Sequence, residues 1–198
     1  MTSCDIVLAG VGGQGILLAA EILGTAAVNS SLNVRVSELH GMAQRGGAVV
    51  SHVRIGEKVY APTVLDGKAD LLVGFEPLEA LRNIKYASQR TMVLVNINPF
   101  KITGVEYPRM EEIFVQIRKF TKNVEEIDAA ALARSAGAEV TQNIVMLGAL
   151  AATERLPMKP SSLKEAMQEL VPKKYLDVNV KSFEFGYGTI RDQLCSIT

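Results

Sequence analysis

The apolar positions fall into short blocks whose period changes along the chain. Asp5-Ile6-Val7-Leu8-Ala9-Gly10 is a nearly unbroken apolar run closed by glycine, the pattern of a strand buried on both faces. From Gln14 to about Asn29 the period lengthens, with Ile16, Leu17, Ala20, Leu23, Gly24 and Ala27 at helical spacing. Leu32 to Glu38 alternates apolar and polar, which predicts a second strand. Leu39 to Gly47 contains three glycines and no period, so it reads as a loop. Ala48 to Ile55 is a further strand, and Gly56-Glu57-Lys58 leading into Val59-Tyr60 predicts a hairpin inserted among the α/β units.

Ala69 to Phe75 and Thr91 to Asn96 repeat the buried-strand pattern. Between them, Pro77 marks a helix start and the helix is expected to run to about Ser88. A helix is predicted near Met110–Phe120 and a short edge strand over 123–127. Asp128 is placed to cap a helix over Ala129–Ala136. Val140 to Thr153 is an apolar helix in which Gly148, Ala149, Ala151 and Ala152 permit close packing, with Pro157 and Pro160 ending it. Ser161 or Ser162 is expected to cap Leu163–Leu170, and Lys174–Leu194 reads as mostly helical.

Strands alternating with helices predict a three-layer α/β/α fold with a Rossmann-like, mostly parallel sheet, made mixed by the hairpin. The whole chain, 1–198, reads as one domain, with about 155–198 a helical packing or partner-binding segment. Composition agrees: hydrophobic residues at 48% and charged residues at 21% suit a packed core rather than a disordered chain. Lys plus Arg and Asp plus Glu are 21 each, and this balance argues against nucleic acid or a charged membrane surface as partner. No apolar stretch is long enough for a membrane span, and no positive region precedes the first apolar run, so a cytoplasmic location is expected. The two cysteines, Cys4 and Cys195, cannot by themselves hold an iron–sulfur cluster or a four-thiolate zinc.

Candidate chemistry begins at Gly10-Val11-Gly12-Gly13-Gln14-Gly15, a GxGxxG between a strand and a helix. Its glycines permit a tight turn and close approach to the amides, while the helix N-terminus favours an anion. With Glu38 at the end of the next strand, the arrangement also fits a free-standing NAD-binding dehydrogenase. Equally, the glycines could do no more than close a turn against another protein segment. The second loop, Glu38 to Gly47, concentrates an acid, an imidazole, an amide and a guanidinium. Arg45 could fork onto a phosphate or carboxylate, or pair with Glu38. His40 could donate to a substrate carboxylate or serve as scaffold, and His52 is expected to be structural. Glu76 and Glu79 suit the start of the helix at Pro77 better than acid–base catalysis. Asn143, in an apolar helix, is expected to bond another segment's backbone.

The segments VGGQGILLAAEIL, ELHGMAQRGGAVVSHVRIG and ADLLVGFEPLEALR, in that order, resemble the gamma-type subunit of 2-oxoacid:ferredoxin oxidoreductases. The HGMAQRGG form is most similar to the small (beta) subunit of the indolepyruvate enzymes, and KNVEEIDAAALA, TQNIVMLGALA and KSFEFGYG extend the likeness over nearly the whole chain. The resemblance implies a non-catalytic subunit, inactive alone, in a hetero-oligomer that decarboxylates a 2-oxoacid to an acyl-CoA and passes electrons to ferredoxin. Thiamine diphosphate, magnesium and 4Fe-4S clusters are then expected on a large partner subunit, and no metal on this chain. Gly12, Gly13, Gln14, Gly15, Gln44, Arg45, Gly46 and Gly47 are the candidate residues for coenzyme A. A purely structural module remains the further alternative.

Overall fold

The computed structural model describes residues 3–41, 46–101, 104 and 106–196. Its centre is a six-stranded sheet: β1 (Ser3–Val11), β2 (Asn33–His40), β3 (Ala48–Gly56), β4 (Leu71–Gly74), β5 (Met92–Asn96) and β6 (Val124–Ile127), in the order β2-β3-β1-β4-β5-β6. β1, β4, β5 and β6 run parallel, whereas β3 is antiparallel to both β1 and β2. The mixed sheet is as expected, but the hairpin is not where Gly56-Glu57-Lys58 suggested. It is formed by β2 and β3, its connection is the glycine-rich second loop, and Val59-Tyr60 pairs with no strand. Val59 is buried and Tyr60 exposed, but β3 already has both of its edges taken, by β1 and β2.

Successive residues of the parallel strands feed two apolar layers, as the two-residue period requires. On one side Ile6, Leu8, Leu71, Val73 and Leu94 pack beneath α1 (Ile16–Asn29), α4 (Ala129–Ala136), α5 (Gln142–Ala152), α6 (Pro160–Leu170) and α7 (Leu176–Cys195). On the other, Val7, Ala9, Leu72, Val93 and Val95 meet α2 (Pro77–Arg82) and α3 (Met110–Phe120). α2 is shorter than expected: it stops at Arg82, and Ile84–Tyr86 is one turn of 3-10 helix.

The helix caps mix agreement with correction. Asp128 accepts from the Ala131 amide at 2.9 Å, as its position predicts. Neither Ser161 nor Ser162 caps α6. Pro160 occupies the first turn, where its missing N–H costs nothing, so the helix opens earlier, at Pro160, with extended Lys159 in the capping position.

α5 is buried from Asn143 to Ala152 and lies beneath α7. The two helices approach backbone to backbone. A Cβ on Gly148 would stand 2.0 Å from the Phe183 carbonyl oxygen, and one on Gly186 would stand 2.0 Å from that of Val145. No helix among the described residues is long and apolar enough to cross a membrane.

Candidate functional site

The chain leaves β1 to the left of the sheet and β4 to the right, α1 covering one face and α2 the other. A crevice therefore opens beyond the carboxyl ends of these strands, where doubly wound folds collect ligands. It has a volume of about 260 Å³ and is lined by Gly13, Gln14, Phe75, Asn96, Asn98, Phe100 and Gln142, with Val140 and Glu139 at the side.

Its wall is the glycine turn. Gly13 and Gly15 have φ of 102° and 73°, a conformation that a side chain would strain. Gly15 also lies against Asn143, whose Nδ2 donates to the Gly15 carbonyl at 3.3 Å, the backbone contact expected of that asparagine. Gln14 is a staple rather than a free side chain. Its Oε1 accepts from the Val11 amide at 2.8 Å and its Nε2 donates to the Phe75 carbonyl at 3.1 Å, tying the end of β1 to that of β4.

The second loop meets this turn directly. The Gly12 amide donates to the Gly47 carbonyl at 2.8 Å and the Gly46 amide to the Gly12 carbonyl at 3.4 Å, which carries the β1–β3 pairing one step beyond the strands. Gly12 thus spends its N–H within the protein. The Gly13 and Gly15 amides have no acceptor among the described residues, and the first-turn amides of α1 have none within the helix. Gln44, Arg45 and the side chain of His40 lie outside the described residues.

Opposite the turn stands an amide network that the sequence reading passed over. Asn96 Nδ2 donates to the Phe75 carbonyl at 3.1 Å and to Gln142 Oε1 at 3.3 Å, while Asn96 Oδ1 accepts from the amides of Asn98 and Ala129. Asn98 donates to the Asp128 carboxylate and accepts from the Ala130 amide. The signal available was Asn96-Ile97-Asn98-Pro99, two amides at the carboxyl end of a buried strand. Glu139 is the one charged residue lining the crevice among those described, and Arg134 pairs with it at 3.4 Å.

Beside the crevice, buried Glu76 caps α2 and moors the next loop. It accepts from the Glu79 amide at 2.9 Å, the Phe100 amide at 3.2 Å and the Tyr107 hydroxyl at 2.5 Å. Burial and this neighbouring carboxylate push the Tyr107 phenol upward, so it stays a donor. Glu79 turns instead to Arg82 at 2.6 Å, and burial raises its pKa despite that partner. Cys4 is buried in the core, where burial and the nearby Asp70 and Asp5 carboxylates push its thiol up to about 12, an unreactive state.

The position of Glu38 disfavours the dinucleotide reading. In a dinucleotide-binding unit the strand after the first helix lies beside the first strand, which brings its acid to the ribose. Here β3 intervenes, and Glu38 stands two strand spacings, roughly 10 Å, from β1. Among the described residues no group of His, Cys, Asp or Glu is placed to hold a metal ion.

The profile of the pyruvate ferredoxin/flavodoxin oxidoreductase family matches residues 5–189. The indolepyruvate oxidoreductase subunit IorB of Thermococcus kodakarensis is 42% identical over 200 residues, covering 98% of this chain and 99% of the relative. That of Methanothermobacter thermautotrophicus is 41% identical over 93% of this chain and 96% of the relative. Among solved structures, the gamma subunit of a keto/oxoacid ferredoxin oxidoreductase from Geobacter sulfurreducens superposes with a TM-score of 0.70 at 24% identity, covering 94% of this chain and 98% of that one. The 2-oxoglutarate:ferredoxin oxidoreductase of Magnetococcus marinus, solved with 2-oxoglutarate, coenzyme A and succinyl-CoA bound, gives 0.75 at 19% identity. It covers 97% of this chain but 32% of that longer one. These structural likenesses establish a shared fold, and the sequence relationships establish the family: the chain belongs to the pyruvate ferredoxin/flavodoxin oxidoreductases, as a counterpart of their small, gamma-type subunits.

Proposed function

We propose that the chain is the small subunit of an indolepyruvate:ferredoxin oxidoreductase and that it holds the phosphate end of coenzyme A. The carrying observation is the identity of 42% along essentially the full length of an indolepyruvate subunit. Thiamine diphosphate, magnesium and 4Fe-4S clusters belong, in this reading, to a large partner subunit in the cytoplasm. There they supply decarboxylation of the 2-oxoacid and one-electron transfer to ferredoxin. With two cysteines, one of them deep in the core, this chain offers no thiolate set for a cluster.

The crevice supports a phosphate site of a restricted kind. Gly13 lines the crevice, and beside it the Gly15 amide and the opening of α1 supply free N–H groups and the positive end of a helix dipole, while the one charged residue lining it among those described, Glu139, is paired with Arg134. Gly46 and Gly47 are bonded to Gly12 beside this turn, and Gln44 and Arg45 immediately precede them in sequence, which is what supports including them in the reading. The role of this chain is to orient the acyl acceptor, and no acid, base or nucleophile is assigned to it.

The test is reconstitution. The isolated chain should reduce no ferredoxin with indolepyruvate, and the chain with its large subunit should do so in a coenzyme A-dependent way. Arg45→Ala in the complex should raise the KM for coenzyme A by about tenfold, the value of one charge-assisted hydrogen bond, and leave the KM for indolepyruvate unchanged. An unchanged coenzyme A KM refutes the phosphate site, and a catalytically active isolated chain refutes the subunit reading.

A further inference from the structure

One apolar surface of the chain has no function in the site above. β2 is the outermost strand, so no strand of the sheet pairs with its outer edge. α1 does not roof it fully. Between helix and strand lies a groove of about 500 Å³, floored by Ala20, Gly24, Val34 and Val36 and rimmed by Leu17 and Val28. Leu17, Val28 and Val36 are 47%, 61% and 40% exposed. Gly24 makes the groove deep, its nearest neighbour being a Val36 methyl 4.0 Å from where a Cβ would stand.

The groove is also polarised. Glu21 and Glu38 line it at the end nearer the glycine turn, both exposed and neither in an ion pair among the described residues. β2 carries one cation, Arg35, and strand alternation puts it on the opposite face, where it donates to the Val34 carbonyl. An antiparallel pairing of two copies through β2 would set the acidic end of each groove against the other end of its neighbour, where among the described groove residues no cation answers Glu21 and Glu38, so a second copy lacks the complementary charge.

We infer that this groove and the β2 edge receive an extended segment of the large partner subunit, apolar along its length with a Lys or Arg at the end facing Glu21 and Glu38. This rests on the subunit reading. It takes from the structure an unpaired strand edge, an apolar channel beside it, and two unpaired carboxylates at one end of that channel. Main-chain pairing supplies affinity and the acidic end fixes direction.

The experiment uses the chain co-expressed with its large subunit. Val36→Asp and the double variant E21K/E38K should each weaken assembly at least about tenfold, as loss of a central contact does, while the free chain keeps the wild-type thermal midpoint. Val115→Asp, exposed on α3 on the opposite face, should assemble as wild type. Hydrogen exchange should show the β2 amides slowed in the complex. If the wild-type chain captures no large subunit, the subunit reading itself fails. If the complex forms and both groove variants form it equally well, the docking inference is overturned. It is equally overturned if the free chain is a dimer that Val36→Asp splits, for the occupant is then a second copy.

Discussion

The crossing of α5 and α7 makes the sharpest prediction, because three glycine-to-alanine changes of identical chemistry should have opposite signs. Alanine in a helix interior is favoured over glycine by about 1 kcal/mol, other things equal. At Gly188, in α7, nothing lies within 4 Å of the new methyl. Gly188→Ala should therefore stabilise by about 1 kcal/mol and raise the thermal midpoint by about 2–4 °C for a chain of this size. At Gly148 and Gly186 the methyl would meet a carbonyl oxygen at 2.0 Å, where a comfortable carbon–oxygen separation is about 3.3 Å or more. The obstacle is backbone, so no rotamer relieves it and the helices must part by more than an ångström. Overpacking of this kind costs about 3 kcal/mol, the upper end of its range; less the helical gain of about 1, each variant should lose about 2 kcal/mol. Urea titration should show a lower midpoint at unchanged slope, with the thermal midpoint down by roughly 4–8 °C. The double variant should cost less than the sum, since the first methyl already opens the crossing. If Gly148→Ala and Gly186→Ala track Gly188→Ala upward, the close approach of the two helices is refuted.

Three further outcomes follow from the site and its surroundings. His52 is fully buried, its Nδ1 accepts from the Val64 amide and its Nε2 has no partner among the described residues; burial and Lys85 lower its pKa. A depressed imidazole binds protons more readily unfolded, so stability should fall as pH drops below the unfolded value of about 6.5, and His52→Gln should flatten that slope in denaturation curves between pH 7 and 5. Tyr107→Phe should cost about 1–3 kcal/mol by leaving buried Glu76 short of a donor, read as a lower urea midpoint with unchanged far-ultraviolet dichroism. Glu76→Ala removes the α2 cap as well, at about 0.5–2 kcal/mol, and should open the chain around Phe100 to limited proteolysis before the rest of the fold yields.

The layers were legible in the sequence because each strand's burial shows as composition: ADLLVGF and TMVLVN can hardly be anything but strands covered on both sides. The order of those strands was not. Val59-Tyr60 and β2 flank Ala48–Ile55 on either side as local partners, and the choice of β2 together with the distant β1 is made by long-range fit. The glycine turn and the second loop were both singled out, yet nothing local says that Gly12 and Gly47 bond each other. Gln14 shows the limit most plainly. Its neighbours suggested a ligand contact, while its actual partners, Val11 and Phe75, are backbone groups that only the fold brings within reach. Asn96 and Asn98 escaped notice for the same reason, since an amide is informative only once its neighbours in space are known.

The α5–α7 crossing also constrains how the chain can be made. α5 is apolar on every side and ends at Ala152, whereas its cover, α7, begins only at Leu176. Every nascent chain therefore passes through a stage at which α5 has left the ribosome and α7 has not. During that interval one of the most water-averse segments of the protein lacks its lid, and α6 and the sheet shield only part of it. Slow translation through α6 would lengthen the exposure, and a chain stalled there would be a natural client for a chaperone.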